Sequence, residues 1–194
     1  MTASTAIAAS RSTLFDAHDF LREATHATHI RLHGLRQFEA IADARLDRAS
    51  YAELLRSLHA YHAIIANAAE AGGLLHLSTS PLRQSLLEAD LASLGSAPSH
   101  EELSWTTPSR EALYGALYVA EGSALGGKVI ARQLDYLFGD AAEGRTFFRG
   151  AGDTGPRWRA FLAALAQAGD EGAMPQLVAG AEASFALFER CVAA

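Results

Sequence analysis

Apolar residues recur at helical spacing through nearly all of the chain after residue 14. In "SYAELLRSLHAYHAIIANAAEAGG", Leu54, Leu55, Leu58, Tyr61 and Ile65 form the apolar side. Ser50 reads as its N-cap and Gly72-Gly73 as its stop. "FDAHDFLREATHATHIRLHGLRQF" gathers Leu21, Leu32 and Leu35, with Gly34 marking a break near its end. "SPLRQSLLEADLASLG" opens on Ser-Pro and closes on Gly95. One long helix is predicted from Arg110 to Leu137, behind Pro108. Two more cover "PRWRAFLAALAQAG" and "PQLVAGAEASFALFERCVA". No segment alternates as a strand does, and no fixed period repeats. Connections are short except 95–108 and 139–156. The pattern predicts a flexible tail over residues 1–13 and then one all-α domain over 14–194, with roughly six to eight helices.

Composition narrows this picture. At 194 residues the chain suits one domain with a substantial core. A net charge of −6 argues against general nucleic-acid binding. Lys128 is the single lysine among mostly Arg cations. The one cysteine, Cys191, permits no intrachain disulfide, reads as inert packing and fits a reducing compartment. "MTASTAIAASRS" has neither a basic segment nor a long apolar one, and no apolar run reaches the ~18 residues of a membrane span. The expectation is a cytoplasmic protein with no membrane and no nucleic-acid partner.

Two helices carry candidate chemistry. Within "LYVAEGSALGGKVIARQL", Gly122, Gly126 and Gly127 surround Ser123, and each glycine costs a helix ~1 kcal/mol relative to Ala. With Gly122 at zero on a helical wheel, Gly115 falls at about 20°, Gly126 at about 40°, Ser123 at about 100° and Gly127 at about 140°. Glu121, Lys128 and Arg132 cluster on the other side and read as surface or interhelical charges. Such a stripe lets something flat approach the backbone and permits a kink. Close packing against another helix serves the same spacing.

The first helix holds His26, His29 and His33. Around His29, Arg22 lies at about 20° and on the order of 10 Å along the axis, and Thr25 at about 320°. A His ligand with a cation at that distance suits a cofactor with a central metal and carboxylates at its edge. A structural or surface role is the alternative for a single His. "EATH" is a Glu-x-x-His element with no second copy, which argues against a di-iron site. His59 and His62 lack a matching ligand on their own helix and read as solvated or core residues. Trp158 and Phe161 read as core.

Together these segments resemble the heme oxygenases, with the bacterial branch associated with bacteriophytochromes as the nearest likeness. "LREATHATH" is similar to the family's proximal helix, and His29 takes the axial position. "YVAEGSALGGKVI" is similar to the distal helix, whose glycines lie over the heme face. Gly122, Gly126 and Gly127 match them. Ser123 stands where animal enzymes carry Asp. "LLEADLASLG" and the "RW" before Phe161 also resemble family segments.

The resemblance implies a helical bundle holding heme between the first helix and a kinked glycine helix. Heme is then both cofactor and substrate, cleaved to biliverdin, CO and ferrous iron with O2 and electrons from a ferredoxin or reductase. Gly122, Ser123, Gly126 and Gly127 form the catalytic set. Arg22, Thr25, His29, Tyr118 and Arg159 bind the cofactor, with His29 as the iron ligand. Arg22, Tyr118 and Arg159 are its propionate candidates. Ala163 stands where animal enzymes carry a second basic residue. The stripe holds no His or Arg, whose acid–base pair would favour O–O cleavage as in peroxidases. A bacteriophytochrome is the implied recipient of biliverdin. A non-catalytic heme carrier or sensor is the second reading of the same fold. A thiaminase-like enzyme is the third, disfavoured because Cys191 lies near the C-terminus.

Overall fold

A computed structural model describes residues 17–99, 105–169 and 172–193. The expected tail of residues 1–13 lies outside them. Every regular element among the described residues is helical, as the periodicity requires. None of these helices is long and apolar enough to cross a membrane.

The first helix is in two pieces, α1 (residues 17–24) and α2 (His26–His33), followed by α3 (Arg36–Ala42). Gly34 ends α2 as expected. The interruption at Thr25 was not legible in the pattern. Its hydroxyl donates to the Leu21 carbonyl at 2.7 Å, and such back-bonding to the preceding turn bends helices.

α4 (Arg48–Ala71) begins earlier than the sequence suggests. Asp47, not Ser50, is its N-cap, accepting from the Ser50 amide at 2.7 Å. The chain then turns through Gly73 at φ +68°, a left-handed conformation that favours glycine. α5 (Ser80–Ser93) has Pro81 in its first turn.

The predicted long helix is broken. α6 (Arg110–Gly122) gives way to a tight 3₁₀ turn at Ser123–Leu125, and α7 (Gly127–Gln133) and α8 (Asp135–Phe138) follow. The expected 139–156 connection contains α9 (Thr146–Arg149), which has no periodicity of its own to reveal it. Buried Asp90 creates it, accepting from the Thr146 amide at 2.8 Å, the Thr146 hydroxyl at 2.7 Å and the Phe147 amide at 2.8 Å. α10 (Thr154–Ala168) and α11 (Met174–Ala193) close the chain.

α11 and α6 form the most extensive contact in the molecule, and α4 packs on both. The crossing is possible only between small residues. A Cβ on Gly115 would lie 1.9 Å from the Leu177 carbonyl oxygen, and one on Gly180 would lie 1.8 Å from that of Ala112. Above it, the buried Tyr61 hydroxyl meets Ser184 Oγ at 2.8 Å, and Ser184 Oγ donates to the Ala116 carbonyl at 3.3 Å. One core cluster surrounds this crossing, including Leu21, Leu117, Phe161 and Phe185. A second, including Ile41, Tyr51, Leu87 and Phe147, lies between α3, α4, α5 and α9.

Gly180→Ala should therefore lower stability by roughly 1–3 kcal/mol through overpacking, read as a fall in thermal midpoint. An unchanged midpoint would mean the helices can part without loss.

His62 is buried against Ser80 Oγ at 3.1 Å, the core role expected of it. Burial holds its imidazole well below 6.5, with the Arg83 charge adding to the effect. An unfolded chain takes up this proton near pH 6.5 and the folded one does not. The group's contribution to stability is thus complete above that pH and is lost as pH falls through the folded value. Denaturant midpoints should drop between about pH 7.5 and about pH 5.5, and the drop should shrink in His62→Gln. An equal drop in the variant would assign the effect elsewhere.

Candidate functional site

α2 owes its position more to polar ties than to buried apolar area. Only Thr28 is buried along it. The Thr28 hydroxyl donates to the two Glu182 carboxylate oxygens at 3.0 and 2.9 Å, and Arg31 Nε donates to Glu189 at 2.9 Å. Both carboxylates belong to α11, so α11 carries α2 on one flank and α6 on another.

His29 is exposed on α2, its ring 4.9 Å from that of His33 in an edge arrangement and 6.5 Å from that of Phe185. Partial burial holds its imidazole below the ordinary value, and His33 and His26 push the same way. The neutral form, the one able to ligate a metal, is therefore favoured. Thr25 is buried, and its hydroxyl is committed to the Leu21 carbonyl. Arg22 is exposed and pairs with Asp19 at 3.4 Å.

The glycine stripe divides. Gly115 serves the α6–α11 crossing described above. Gly127 is buried, and a Cβ there would meet the Phe148 carbonyl oxygen at 2.6 Å, so it brings α7 onto the backbone of α9. Gly126 is open: the nearest atom to its Cβ position is the Ser123 carbonyl oxygen at 4.0 Å. Gly122 faces the Trp158 ring at 3.5 Å. Leu125 and Val129 lie on the Gly126 side of the helix and are 52% and 51% exposed. Of the four, only Gly122 and Gly126 have no backbone of another helix beside them.

Tyr118 is half-buried beside Trp158, ring centroids 5.6 Å apart, and burial pushes its phenol up. His18 adds a third ring, 6.1 Å from Tyr118 and 5.9 Å from Trp158. Arg159 is exposed on α10. The structure thus brings Tyr118, Gly122 and Trp158 together, and leaves Arg159 and Arg22 at the surface. Cys191 is buried, and burial pushes its thiol up, which removes it as a nucleophile.

Ser123 is hydrogen-bonded twice. Its Oγ donates to the Ala120 carbonyl at 2.7 Å and accepts from Arg83 Nη1 at 2.8 Å, which tethers the hydroxyl to its own helix. Arg83, which reaches the break, was not singled out in the sequence. It is 8% exposed, on the α5 stripe shared with Leu87 and Leu91, and that placement of a cation was the available signal. Burial pulls its guanidinium down to about 10, which leaves it charged at neutral pH. Glu121, expected to be surface or interhelical, is interhelical and buried. It accepts from the Thr79 amide at 2.8 Å and the Thr79 hydroxyl at 2.7 Å, and burial raises its carboxyl above the ordinary value. A cavity of about 40 Å³, lined in part by Thr79, Arg83, Glu121, Asp153 and Gly127, lies on this side of the break.

The fold and site define an all-helical bundle with a histidine-bearing first helix and a glycine-broken helix carried on a common partner. The family described as heme oxygenase matches residues 16–194, and the chain belongs to that family. A heme oxygenase of Xanthomonas campestris pv. campestris (strain 8004) is 34% identical over 163 residues, covering 80% of this chain and 96% of the relative. Two solved structures share the fold. Heme oxygenase-1 from the cyanobacterium Synechocystis sp. PCC6803, in complex with heme, superposes with a TM-score of 0.71 at 17% identity, over 92% of this chain and 91% of the other. The heme oxygenase of Leptospira interrogans gives 0.73 at 16% identity, over 91% and 98%.

The two glycines next to the break should respond differently to a methyl group. Gly126→Ala should leave the apoprotein's thermal midpoint unchanged or higher, since Ala is the better helix former by ~1 kcal/mol. Gly127→Ala should lower it by an overpacking cost of roughly 1–3 kcal/mol. Equal losses would contradict the assignment of Gly126 to open space.

Proposed function

We propose that the protein is a heme oxygenase that cleaves heme to biliverdin, CO and ferrous iron, using O2 and electrons from a separate donor protein such as a ferredoxin or a reductase. The observation that carries this reading is a pair of features on helices that both pack on α11. One is the exposed His29 imidazole on α2, 6.5 Å from the Phe185 ring of α11. The other is a helix break whose backbone is bare at Gly126 and flanked by exposed apolar side chains.

These residues fit heme. A flat apolar ring needs a surface with no side chain projecting into it, and Gly126 supplies one, with Leu125 and Val129 beside it. Bound heme supplies the iron at which O2 is activated and the ring that is oxidised. His29 would hold the iron from α2. Gly126 would let the broken helix approach the ring closely, with Gly122 packed on Trp158 beside it, and the backbone there would screen part of the ring edge. Leu125 and Val129 exclude water from the face they cover. Arg22 and Tyr118 serve the propionates, with Arg159 as a third candidate. Arg22 divides its charge between that task and Asp19.

The bacterial branch that the sequence resembles makes a bacteriophytochrome the proposed recipient of biliverdin. The lone buried Cys191 suits the reducing cytoplasm proposed as its location.

Titrating the apoprotein with hemin should develop a Soret band, and reductant in air should convert the complex to biliverdin. His29→Ala should lose the axial-ligand spectrum. No Soret band overturns the reading. A stable heme complex that never turns over makes the protein a carrier or sensor. An unchanged His29→Ala spectrum passes the axial role to His26 or His33.

A further inference from the structure

Arg83 is a buried cation that reaches the broken helix from α5. Its Nη1 donates to the Ala120 carbonyl at 2.8 Å and to Ser123 Oγ at 2.8 Å. Ser123 Oγ donates to the same carbonyl at 2.7 Å. The three groups close a ring at the start of the break. A serine hydroxyl has one proton, and here that proton is engaged by the Ala120 oxygen. A carbonyl drawn toward two side-chain donors is pulled off the helical ladder, which bends a helix at that point. A charged donor on a buried acceptor makes the stronger kind of hydrogen bond.

The guanidinium is itself held from the other directions. The Phe147 ring lies beneath it, 4.6 Å from ring centroid to Cζ. Glu121 balances its charge. Leu87 and Leu91 anchor its helix in the core. The break is therefore fastened to α5 by a residue that has little freedom to leave.

We infer that Arg83 is the positioning residue of the glycine break: it fixes the Ser123–Leu125 turn, holds the Ser123 oxygen in the arrangement that keeps its proton on the Ala120 carbonyl, and makes its own charge the field felt across the break. The last part rests on the heme reading above; the fixing of the turn does not. Ser123 then acts as a link in a clamp and gives no proton to the reaction.

The test compares wild type, Ser123→Ala, Arg83→Lys and Arg83→Gln. Arg83→Gln/Glu121→Gln removes both buried charges together and serves if Arg83→Gln alone fails to fold. Hydrogen exchange of the apoprotein amides over residues 120–127 should speed up roughly tenfold in Arg83→Gln, the scale of one charged hydrogen bond, and less in Arg83→Lys. The infrared C–O stretch of the ferrous CO complex should move to higher frequency in Arg83→Gln, stay near wild type in Ser123→Ala, and be restored by Arg83→Lys. Unchanged exchange in Arg83→Gln overturns the clamp. A Ser123→Ala shift as large as that of Arg83→Gln makes Ser123 the donor and overturns the assignment. Failure to form any heme complex removes the functional reading alone, because the exchange measurement still decides the clamp.

Discussion

Everything around the site depends on how closely α11 can lie against α6. Gly115 and Gly180 permit an approach in which each helix's backbone occupies the space of the other's absent Cβ. α11 then carries Glu182 and Glu189 to α2 and Phe185 to the His29 ring. The spacing between the histidine helix and the broken helix is therefore inherited from one crossing of two small-residue faces. A larger residue there would displace the two halves of the site relative to each other as well as weaken the core.

Glycine does three different jobs along one helix. At Gly115 and Gly127 it brings protein backbone onto protein backbone; at Gly122 it meets the flat face of Trp158; at Gly126 it leaves a surface uncovered. Flexibility alone does not explain the break between them. Arg83 and Ser123 draw the Ala120 carbonyl out of the ladder, and buried Glu121 on the same turn is held by Thr79. Propensity makes this helix easy to break, and hydrogen bonds to α5 decide where it breaks.

The all-helical class, the apolar faces and the stops at Gly34, Gly73 and Gly95 could be read from the chain, because period and punctuation are local properties. The segments proposed to carry the site stood out for the same reason, as a helix with three histidines and a helix with a glycine stripe. What was hidden is non-local. Asp47 takes the α4 cap that Ser50 was expected to fill, because the first turn begins three residues earlier. Asp90 builds α9 from 56 residues away. The partner of Ser123 could not be read because the donor that engages it sits 40 residues earlier. The wheel could group Gly127 with Gly126 but could not show that Phe148 fills the space beside one of them.

The central claim is that two helices carried on α11, 26–33 and the one broken at 123–125, form opposite walls for one flat ligand. Hydrogen exchange with and without hemin tests it most directly. Protection should rise over residues 26–33 and 122–129 together, with little change over 112–117 and 177–184, where the crossing is already closed. A gain confined to one wall, or spread evenly over the chain, would contradict it.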